Sequence, residues 1–285
     1  MDLDHVAIAA HDVSAVLDVL VGTLGVPIIF GGVNLGFRAM QVEAGNLRIE
    51  LLEPWNVEQN DFLKRFLERS GEGPHHLTFK TSDIRAELER VAEAGYHPVG
   101  VNIDNDFWKE AFIHPKEAGE TVVQIAQSAF DDMDFDAEAG EYGSGRWWSE
   151  PPPLASERAH LERVVIGTVD VDKSLALYRD LLGGEVAERA EGWIELFWPG
   201  GGRIRIESSA GEPGIDRLEW VHPSAPSKLV AAGTKFQISR RGSRSLVSRW
   251  LVSSSISPEP SLFASARSEK ATEIPRAATM NPSER

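Results

Sequence analysis

The sequence predicts an α+β fold built from a repeated unit of one strand, one helix and several further strands. Two stretches begin such units: DHVAIAAHD at residues 4–12 and HHLTFKTSD at residues 75–83. In each, a histidine is followed by apolar residues that alternate, as in a strand with one buried face, and by an aspartate seven positions later. Self-similarity of this kind indicates a duplicated architecture.

A helix is expected after the first strand of each unit. DVSAVLDVLVGTLG has apolar residues at helical spacing, with Asp12 or Ser14 as the candidate N-cap and Gly25 at its end. Its counterpart SDIRAELERVAEAG is amphipathic and ends at Gly95. The stretch FRAMQVEAGNLRIELLEP then predicts a hairpin that turns at residues 44–46.

The same frame occurs twice more with arginine in place of histidine. HLERVVIGTVD puts Arg163 in the histidine position, and RIRIESS puts Glu207 at a spacing that matches that of Glu50 in the first unit. A fourth copy begins at DRLEWVHPS with Arg217 in that position and ends at Gly233. We therefore expect two complete units, a third unit and a truncated fourth.

Composition divides the chain into four segments. Residues 1–128 hold the two complete units, and the acidic, then Gly- and Pro-rich residues 129–159 are expected to form a linker. Residues 160–234 form an incomplete half that lacks the repeat histidines. From Lys235 the chain is serine-rich, has nine Lys or Arg and four Asp or Glu, and shows no further Glx position of the repeat. Residues 235–285 are therefore expected to be a disordered tail, and a change of reading frame near codon 235 would explain the altered composition.

Composition also excludes several classes of protein. The chain has no cysteine, so disulfides and thiolate metal sites are ruled out and a cytoplasmic location is expected. Its net charge of −15 argues against nucleic-acid or anionic membrane partners. No apolar run approaches the roughly 20 residues of a membrane span, and the N-terminus MDLDHVAIAA lacks the basic region of a signal peptide.

Four residues of types that can bind metals occupy equivalent positions in the two complete units: His5, Glu50, His76 and Gln124. A duplicated fold would bring the strands that carry them together. Two imidazoles, a carboxylate and an amide oxygen form a mixed nitrogen and oxygen set suited to Co²⁺, Ni²⁺, Zn²⁺, Mn²⁺ or Fe²⁺. The alternative is that the two histidines are strand residues hydrogen-bonded in a cavity.

These stretches resemble the vicinal oxygen chelate superfamily, which includes glyoxalase I, extradiol dioxygenases and bleomycin or fosfomycin resistance proteins. LDHVAIAAHD, GNLRIELLEP, GPHHLTF and AFIHPKEAGETVVQIAQ are most similar to methylmalonyl-CoA epimerase, whereas residues 160–233 resemble the superfamily only in register. The resemblance implies paired βαβββ modules that curl into half-open barrels. It also implies one divalent metal ion bound by His5, Glu50, His76 and Gln124.

Two positions depart from the epimerase pattern. The last ligand of that group is usually glutamate, and here it is Gln124. A glutamate implicated in proton transfer aligns with Asn34, which cannot accept a proton. The superfamily accepts glutamine as a ligand, so the departure at Asn34 is the one that argues against methylmalonyl-CoA epimerisation.

The function that we predict is a metal-dependent isomerase or lyase that transfers a proton next to a carbonyl group. Its substrate would be a small molecule, with acyl-CoA thioesters as candidates, and Glu50 would be the catalytic base. Arg48, Lys116 and His114 are candidates for substrate contact, and a homodimer is a candidate assembly. The alternatives are a non-catalytic binding or sequestration protein of the same fold and, third, an extradiol-type dioxygenase.

Overall fold

The computed structural model describes residues 1–128, 147 and 150–240, and these residues form fifteen strands in two sheets. The first sheet contains β1 (Asp2–Ala9), β2 (Ile28–Val33), β3 (Phe37–Glu43), β4 (Arg48–Pro54), β5 (Gly73–Lys80), β6 (Pro98–Asn102), β7 (Trp108–Ile113) and β8 (Val122–Ser128). The second contains β9 (His160–Thr168), β10 (Glu185–Ala190), β11 (Trp193–Phe197), β12 (Arg203–Ser208), β13 (Gly214–Val221), β14 (Lys228–Ala231) and β15 (Thr234–Ser239).

Four helical segments accompany the strands in the described residues. They are α1 (Ser14–Leu17, continued by a π-helical turn at Asp18–Thr23), α2 (Phe62–Ser70), α3 (Ile84–Glu93) and α4 (Val171–Leu175, continued by a π-helical turn at Ala176–Leu181). Asp83 caps α3 by accepting hydrogen bonds from two backbone amides of its first turn. At the start of α1, Oδ1 of Asp12 accepts from the backbone amide of Ser14 at 2.8 Å. None of these helices is both long enough and apolar enough to cross a membrane.

The strand order confirms the predicted paired βαβββ modules. In the first sheet the order is β2-β3-β4-β1-β5-β8-β7-β6, so the two modules meet where β1 and β5 pair antiparallel. Each of these central strands also pairs in parallel with the last strand of its own module, β4 or β8. The second sheet repeats the plan in the order β10-β11-β12-β9-β13-β15-β14.

The fourth module is shortened, as predicted, but its last strand is present. Ala232 and Gly233 have positive φ angles of 42° and 64° and form the tight turn between β14 and β15, so the copy continues beyond Gly233. Residues 235–239 belong to β15, and the boundary expected at 234 is therefore wrong. The repeat spacing could not locate this strand because the helix and one strand are missing before it. The remainder of the expected tail, from residue 241, lies outside the described residues.

One face of each sheet enters a shared apolar core. Val6 and Ile8 of β1 lie in this core, as do Val164 and Ile166 of β9. Phe79 of β5 packs against aromatic rings of the other half, with centroids 5.3 Å from Trp198 and 6.3 Å from Tyr178. The opposite face of the first sheet is left for the polar side chains of β1, β4, β5 and β8.

Residues 150–159, which belong to the expected linker, run along the first half. The amides of Ala155 and Ala159 donate to the carbonyls of Val21 and Leu24 at 3.1 and 2.7 Å. Gly25 has a φ of 63°, and a Cβ there would lie 2.2 Å from the carbonyl oxygen of Glu157. A glycine is therefore required at this crossing. Residues 129–146 and 148–149 of the linker lie outside the described residues.

Candidate metal site

The four candidate ligands come from the four central strands of the first sheet. Glu50 of β4 and His76 of β5 both lie beside Ala7 of β1 in the strand registers. His5 of β1 and Gln124 of β8 both lie beside Thr78 of β5. Because side chains alternate between faces along a strand, all four point to the face opposite the shared core.

Three of the four meet closely. Nε2 of His5 lies 3.5 Å from Oε2 of Glu50, and Nε2 of His76 lies 3.7 Å from the same oxygen. The ligand atoms of this trio all lie within 4.8 Å of one another. Both histidines are buried, and Glu50 is the most open of the three, with 17% of its side chain exposed.

The donor set fits a divalent metal. Metal bonds of about 2.1 Å in a tetrahedron place neighbouring ligand atoms roughly 3.4 Å apart, close to the separations observed here. Nε2 of His76 is buried and has no hydrogen-bond partner among the described residues. An unpartnered imidazole nitrogen that faces a carboxylate and a second imidazole is an arrangement that a bound cation would complete.

His5 is held by Asp4, its neighbour in the chain. A β-bulge between Leu3 and His5 leaves Asp4 as an extra residue in β1, and its Oδ2 lies 2.7 Å from Nδ1 of His5. Burial disfavours the charged imidazole, but the negative charge of Glu50 and the hydrogen bond to Asp4 outweigh it and raise the pKa of His5 to about 9. In the absence of metal, His5 is therefore an imidazolium at neutral pH.

His76 has a different environment. A second bulge, between Ala7 and Ile8 in the pairing of β1 with β5, leaves His75 beside it, and the two Nδ1 atoms are 2.7 Å apart. Burial, followed by the proximity of His75 and His5, lowers the pKa of His76 well below its usual value. The ring is therefore neutral, as a metal ligand must be. Strict alternation predicts opposite directions for His75 and His76, and the bulge makes that prediction wrong.

Gln124 joins the trio through hydrogen bonds. Thr78 Oγ1 donates to Oε1 of Gln124 at 2.5 Å and lies 2.8 Å from Nε2 of His5. Nε2 of Gln124 donates to Oε2 of Glu110 at 2.7 Å. Glu110 of β7 is thus a second carboxylate next to the site, and burial raises its pKa. The repeat spacing gave no reason to select Glu110. It is two residues from Phe112 in WKEAFI, however, so strand alternation places both side chains on the polar face.

Helix α2 packs on the same face of the sheet as the ligands. Leu63 and Leu67 form a small apolar cluster with Ala7 and Ala9 of β1. The ring of Phe66 lies 4.4 Å from that of His75, centroid to centroid. The helix therefore forms one wall beside the candidate ligands.

The predicted substrate residues are divided between two places. Arg48 lies next to the ligands, where its Nη1 is 3.4 Å from Oδ1 of Asp4. His114 and Lys116 lie in the turn after β7, and Lys116 lines a cavity of about 240 Å³ together with Asp170 and Lys173. None of the four candidate ligands lines that cavity. The structure therefore connects Arg48 to the ligand group through Asp4 and places Lys116 in a separate cavity.

Asn34, which aligns with the proton-transfer glutamate of epimerases, lies in the turn between β2 and β3. Asn34 is exposed, and its backbone amide donates to the backbone carbonyl of Phe37 at 2.8 Å across the hairpin. Neither Asn34 nor Gln124 can accept a proton as a glutamate would. Glu50 is therefore the carboxylate in the trio that is open to an incoming molecule.

The second sheet replaces the trio with ion pairs. Arg163 and Arg217 take the positions of His5 and His76, as the sequence predicts. Arg205 takes the position of Glu50. The sequence prediction that Glu207 takes it is wrong, because the pairing of β12 with β9 is shifted by two residues from the register that the spacing predicts. Gln237 of β15 lies beside Glu219, as Gln124 lies beside Thr78.

Carboxylates pair with each of these arginines. Glu195 is buried and lies 2.9 Å from Nε of Arg163 and 3.0 Å from Nη2 of Arg205. Arg217 binds Glu207 with two hydrogen bonds of 2.7 and 3.0 Å. The described residues of this face therefore balance their own charges and leave no cluster of metal ligands like that of the first sheet.

Comparison with known proteins identifies a superfamily over most of the first half. Residues 4–112 match the model of the Glyoxalase/Bleomycin resistance protein/Dioxygenase superfamily. The chain is 30% identical over 133 residues to the ethylmalonyl-CoA/methylmalonyl-CoA epimerase of Cereibacter sphaeroides. The aligned stretch covers 44% of this chain and 96% of that protein. The chain is also 26% identical over 137 residues to the uncharacterized protein YqjC of Bacillus subtilis, and that alignment covers 44% of this chain and 91% of YqjC.

Both halves have a structural relative as well. A crystal structure of a hypothetical protein from Staphylococcus aureus matches with a TM-score of 0.61 at 15% identity and covers 84% of this chain and 99% of its own. At that identity the match concerns the fold alone. The modular strand order, the match over residues 4–112 and the 30% identity to an almost fully covered relative lead to one conclusion. The chain belongs to the glyoxalase, bleomycin resistance protein and dioxygenase superfamily.

Proposed function

We propose that the first sheet forms a metal-dependent isomerase or lyase that moves a proton next to a carbonyl group of a small substrate. The observation that carries this proposal is the trio of His5, Glu50 and His76, in which one carboxylate faces two buried imidazoles and one imidazole nitrogen has no partner. Such a set can hold one divalent ion, and its mixture of nitrogen and oxygen donors leaves Co²⁺, Ni²⁺, Zn²⁺, Mn²⁺ and Fe²⁺ as candidates.

A bound divalent ion would supply Lewis-acid stabilisation of the negative charge that develops on substrate oxygens when a neighbouring C–H proton is removed. Glu50 is the group that we assign to accept this proton, since it is the only residue of the trio that is both partly exposed and a carboxylate. His5 and His76 are fixed in position by the buried strands β1 and β5 that carry them. Neither is assigned a proton-transfer role.

The residues around the trio favour chemistry that needs one base. Epimerisation with a base on each side of the substrate would need a second proton acceptor. Asn34 and Gln124 cannot provide one, and Glu110, the second carboxylate next to the site, is bonded to Trp108 and Gln124. A single base that removes and returns a proton on the same face, or that removes it during elimination, needs only Glu50. This supports an isomerase or a lyase that does not invert its substrate by a two-base route.

Acyl-CoA thioesters are the substrate class that we propose to test first. The support is the 30% identity over 133 residues to an enzyme named ethylmalonyl-CoA/methylmalonyl-CoA epimerase. Arg48 lies beside the trio with 38% of its side chain exposed, and it could pair with an anionic group of the substrate.

A second candidate function is the binding of such a molecule without turnover. The exposed Asn34 and the amide of Gln124 favour this alternative, because both positions lack a proton acceptor. It differs from the enzyme in one measurable respect, which is the exchange of a substrate C–H proton with solvent.

The deciding experiment is deuterium exchange. Protein loaded with Co²⁺, Zn²⁺ or Mn²⁺ would be incubated in D₂O with a panel of short branched acyl-CoA thioesters, and the thioesters would be analysed by mass spectrometry. We expect deuterium at the carbon next to the carbonyl with at least one metal, and none with protein treated with a chelator. A thioester that binds tightly to the metal-loaded protein but takes up no deuterium and forms no product would support the binding protein instead.

A further inference from the structure

We propose that Asp4, His75 and Glu110 are positioning residues that turn the ligand atoms of His5, His76 and Gln124 toward the metal. This inference rests on the metal site of the proposed function. Each of the three accepts a hydrogen bond from the side-chain atom that faces away from the trio, so the opposite atom of that side chain is the one directed at the metal, and Nε2 of His5 would lose its proton when a metal binds. Outer partners of this kind fix the orientation and basicity of metal ligands.

The pair of His5 and Asp4 shows the arrangement in its simplest form. A carboxylate accepts hydrogen bonds and donates none, so Nδ1 of His5, at 2.7 Å from Asp4, must carry a proton. Nε2 is then the atom available to a metal, and it is also the atom that faces Glu50 at 3.5 Å. Lys80 and Arg48 each lie 3.4 Å from the other oxygen of Asp4 and hold the carboxylate in place.

His75 does the same for His76, although an imidazole can either donate or accept. With the two Nδ1 atoms 2.7 Å apart, only one of them carries the proton that joins them. If His75 donated, the neutral ring of His76 would carry its proton on Nε2, where a buried N–H would have no hydrogen-bond partner. If His76 donates, Nε2 has a free lone pair directed into the trio. We infer that His76 donates and His75 accepts.

The ring of His75 is fixed in place by aromatic packing. Its centroid lies 4.4 Å from that of Phe66 and 6.1 Å from that of Phe62, both on α2. Helix α2 thereby contributes to the orientation of His76 through His75.

Glu110 determines which end of the Gln124 amide faces the site. Its Oε2 accepts from Nε2 of Gln124 at 2.7 Å and from Nε1 of Trp108 at 2.8 Å. Since a carboxylate cannot donate, the NH₂ end of the amide must face Glu110. Oε1 then faces Thr78, whose hydroxyl also contacts Nε2 of His5. An oxygen turned toward the trio is the orientation that a metal ligand requires.

The second sheet shows that the backbone supplies two of these partners. Its central strands carry bulges at the same two places, and the extra residues there are Glu162 and Asp216. Glu162 lies 2.6 Å from Arg163, and Asp216 lies 2.9 Å from Arg217. In both sheets a bulge therefore puts a polar partner beside the residue that follows it in the strand.

The first test is the tautomer of His76 in the metal-free protein, read from the ¹⁵N chemical shifts of its ring. We expect the tautomer protonated at Nδ1 in the wild type and a mixture or the opposite tautomer in His75→Phe. The matched control is His97→Phe, which changes an exposed histidine bonded to Glu117. A wild-type His76 protonated at Nε2 would overturn the assignment of His75, whether or not the variant folds.

The second test is Co²⁺ affinity measured by calorimetry. We expect losses of roughly 10- to 100-fold for His75→Phe and for Glu110→Met, and little loss for Glu110→Gln, whose amide oxygen can still accept from Gln124. Unchanged affinity in both His75→Phe and Glu110→Met would contradict the proposal. If the wild type bound no Co²⁺ at all, the proposed function would fail, while the His76 tautomer would still decide the role of His75.

Discussion

Ala7 and Thr78 lie between the candidate ligands of the first sheet, whereas Val165 and Glu219 occupy these positions in the second. In the first sheet a methyl group between Glu50 and His76 leaves volume above the strand, and a hydroxyl group bridges His5 and Gln124. In the second, a larger side chain and a carboxylate fill the same places. The first face can therefore receive a cation, and the second provides its own counterions.

The comparison separates what the fold provides from what the side chains provide. Both sheets have the same central strand order and the same pair of bulges. The polar faces differ at the five positions of His5, Glu50, His76, Ala7 and Thr78, and the second sheet carries an ion-pair network where the first carries a ligand cluster. Membership of the superfamily therefore does not by itself imply a site on each sheet.

The largest expected effect is the loss of proton transfer in Glu50→Gln. The amide keeps an oxygen that can bind a metal but cannot accept a proton, so metal should stay bound while exchange or turnover falls by roughly 10³-fold. The control is Glu43→Gln, which removes an exposed carboxylate of the neighbouring β3 that pairs with Arg158. Full activity in Glu50→Gln would show that Glu50 is not the base.

The next effect concerns the stability of the second sheet. Glu195→Gln removes a buried charge shared by Arg163, Arg203 and Arg205, and it should lower the free energy of unfolding by about 3 kcal/mol. Metal affinity should be unchanged, because the first sheet keeps its ligands. Urea denaturation and Co²⁺ titration of the same protein measure both quantities. A variant as stable as the wild type would mean that this network is not structural.

A smaller effect is expected for Ala7→Val, which gives the first sheet the residue that the second has at Val165. The extra methyl groups would crowd Glu50, His76 and the apolar cluster under α2, at a cost of about 1–3 kcal/mol. We expect weaker Co²⁺ binding by calorimetry, with the thermal unfolding of metal-free protein measured alongside it. Unchanged affinity would show that the volume above Ala7 is not part of the site.

The repeat made the centre of the first sheet predictable. His5 and His76 recur in one frame, and each has a Glx residue at a similar distance after it, so the sequence predicted that all four would share one face. The structure brings His5, Glu50 and His76 into one cluster and links Gln124 to His5 through Thr78. Side-chain alternation, which depends only on the strand period, carried this information.

Three features could not be predicted from spacing. A bulge adds one residue without any marker in the sequence, so alternation alone places His75 on the wrong face. The fourth module lacks a helix and a strand, so the distance from Arg217 to Gln237 differs from the repeat spacing. Gln237 could therefore not be recognised as the counterpart of Gln124. Helix α2 has no counterpart at the same place in the second half, and no repeat indicated it.

The claim that the first sheet binds one metal and the second binds none is tested most directly by metal content. Wild-type protein, His76→Ala and the exposed-site control His97→Ala would be incubated with Co²⁺, Zn²⁺ or Mn²⁺, desalted and analysed by elemental mass spectrometry. We predict about one equivalent per chain in the wild type and in His97→Ala, and almost none in folded His76→Ala. Wild-type protein that retains none of these metals, or folded His76→Ala that retains a full equivalent, would contradict the account.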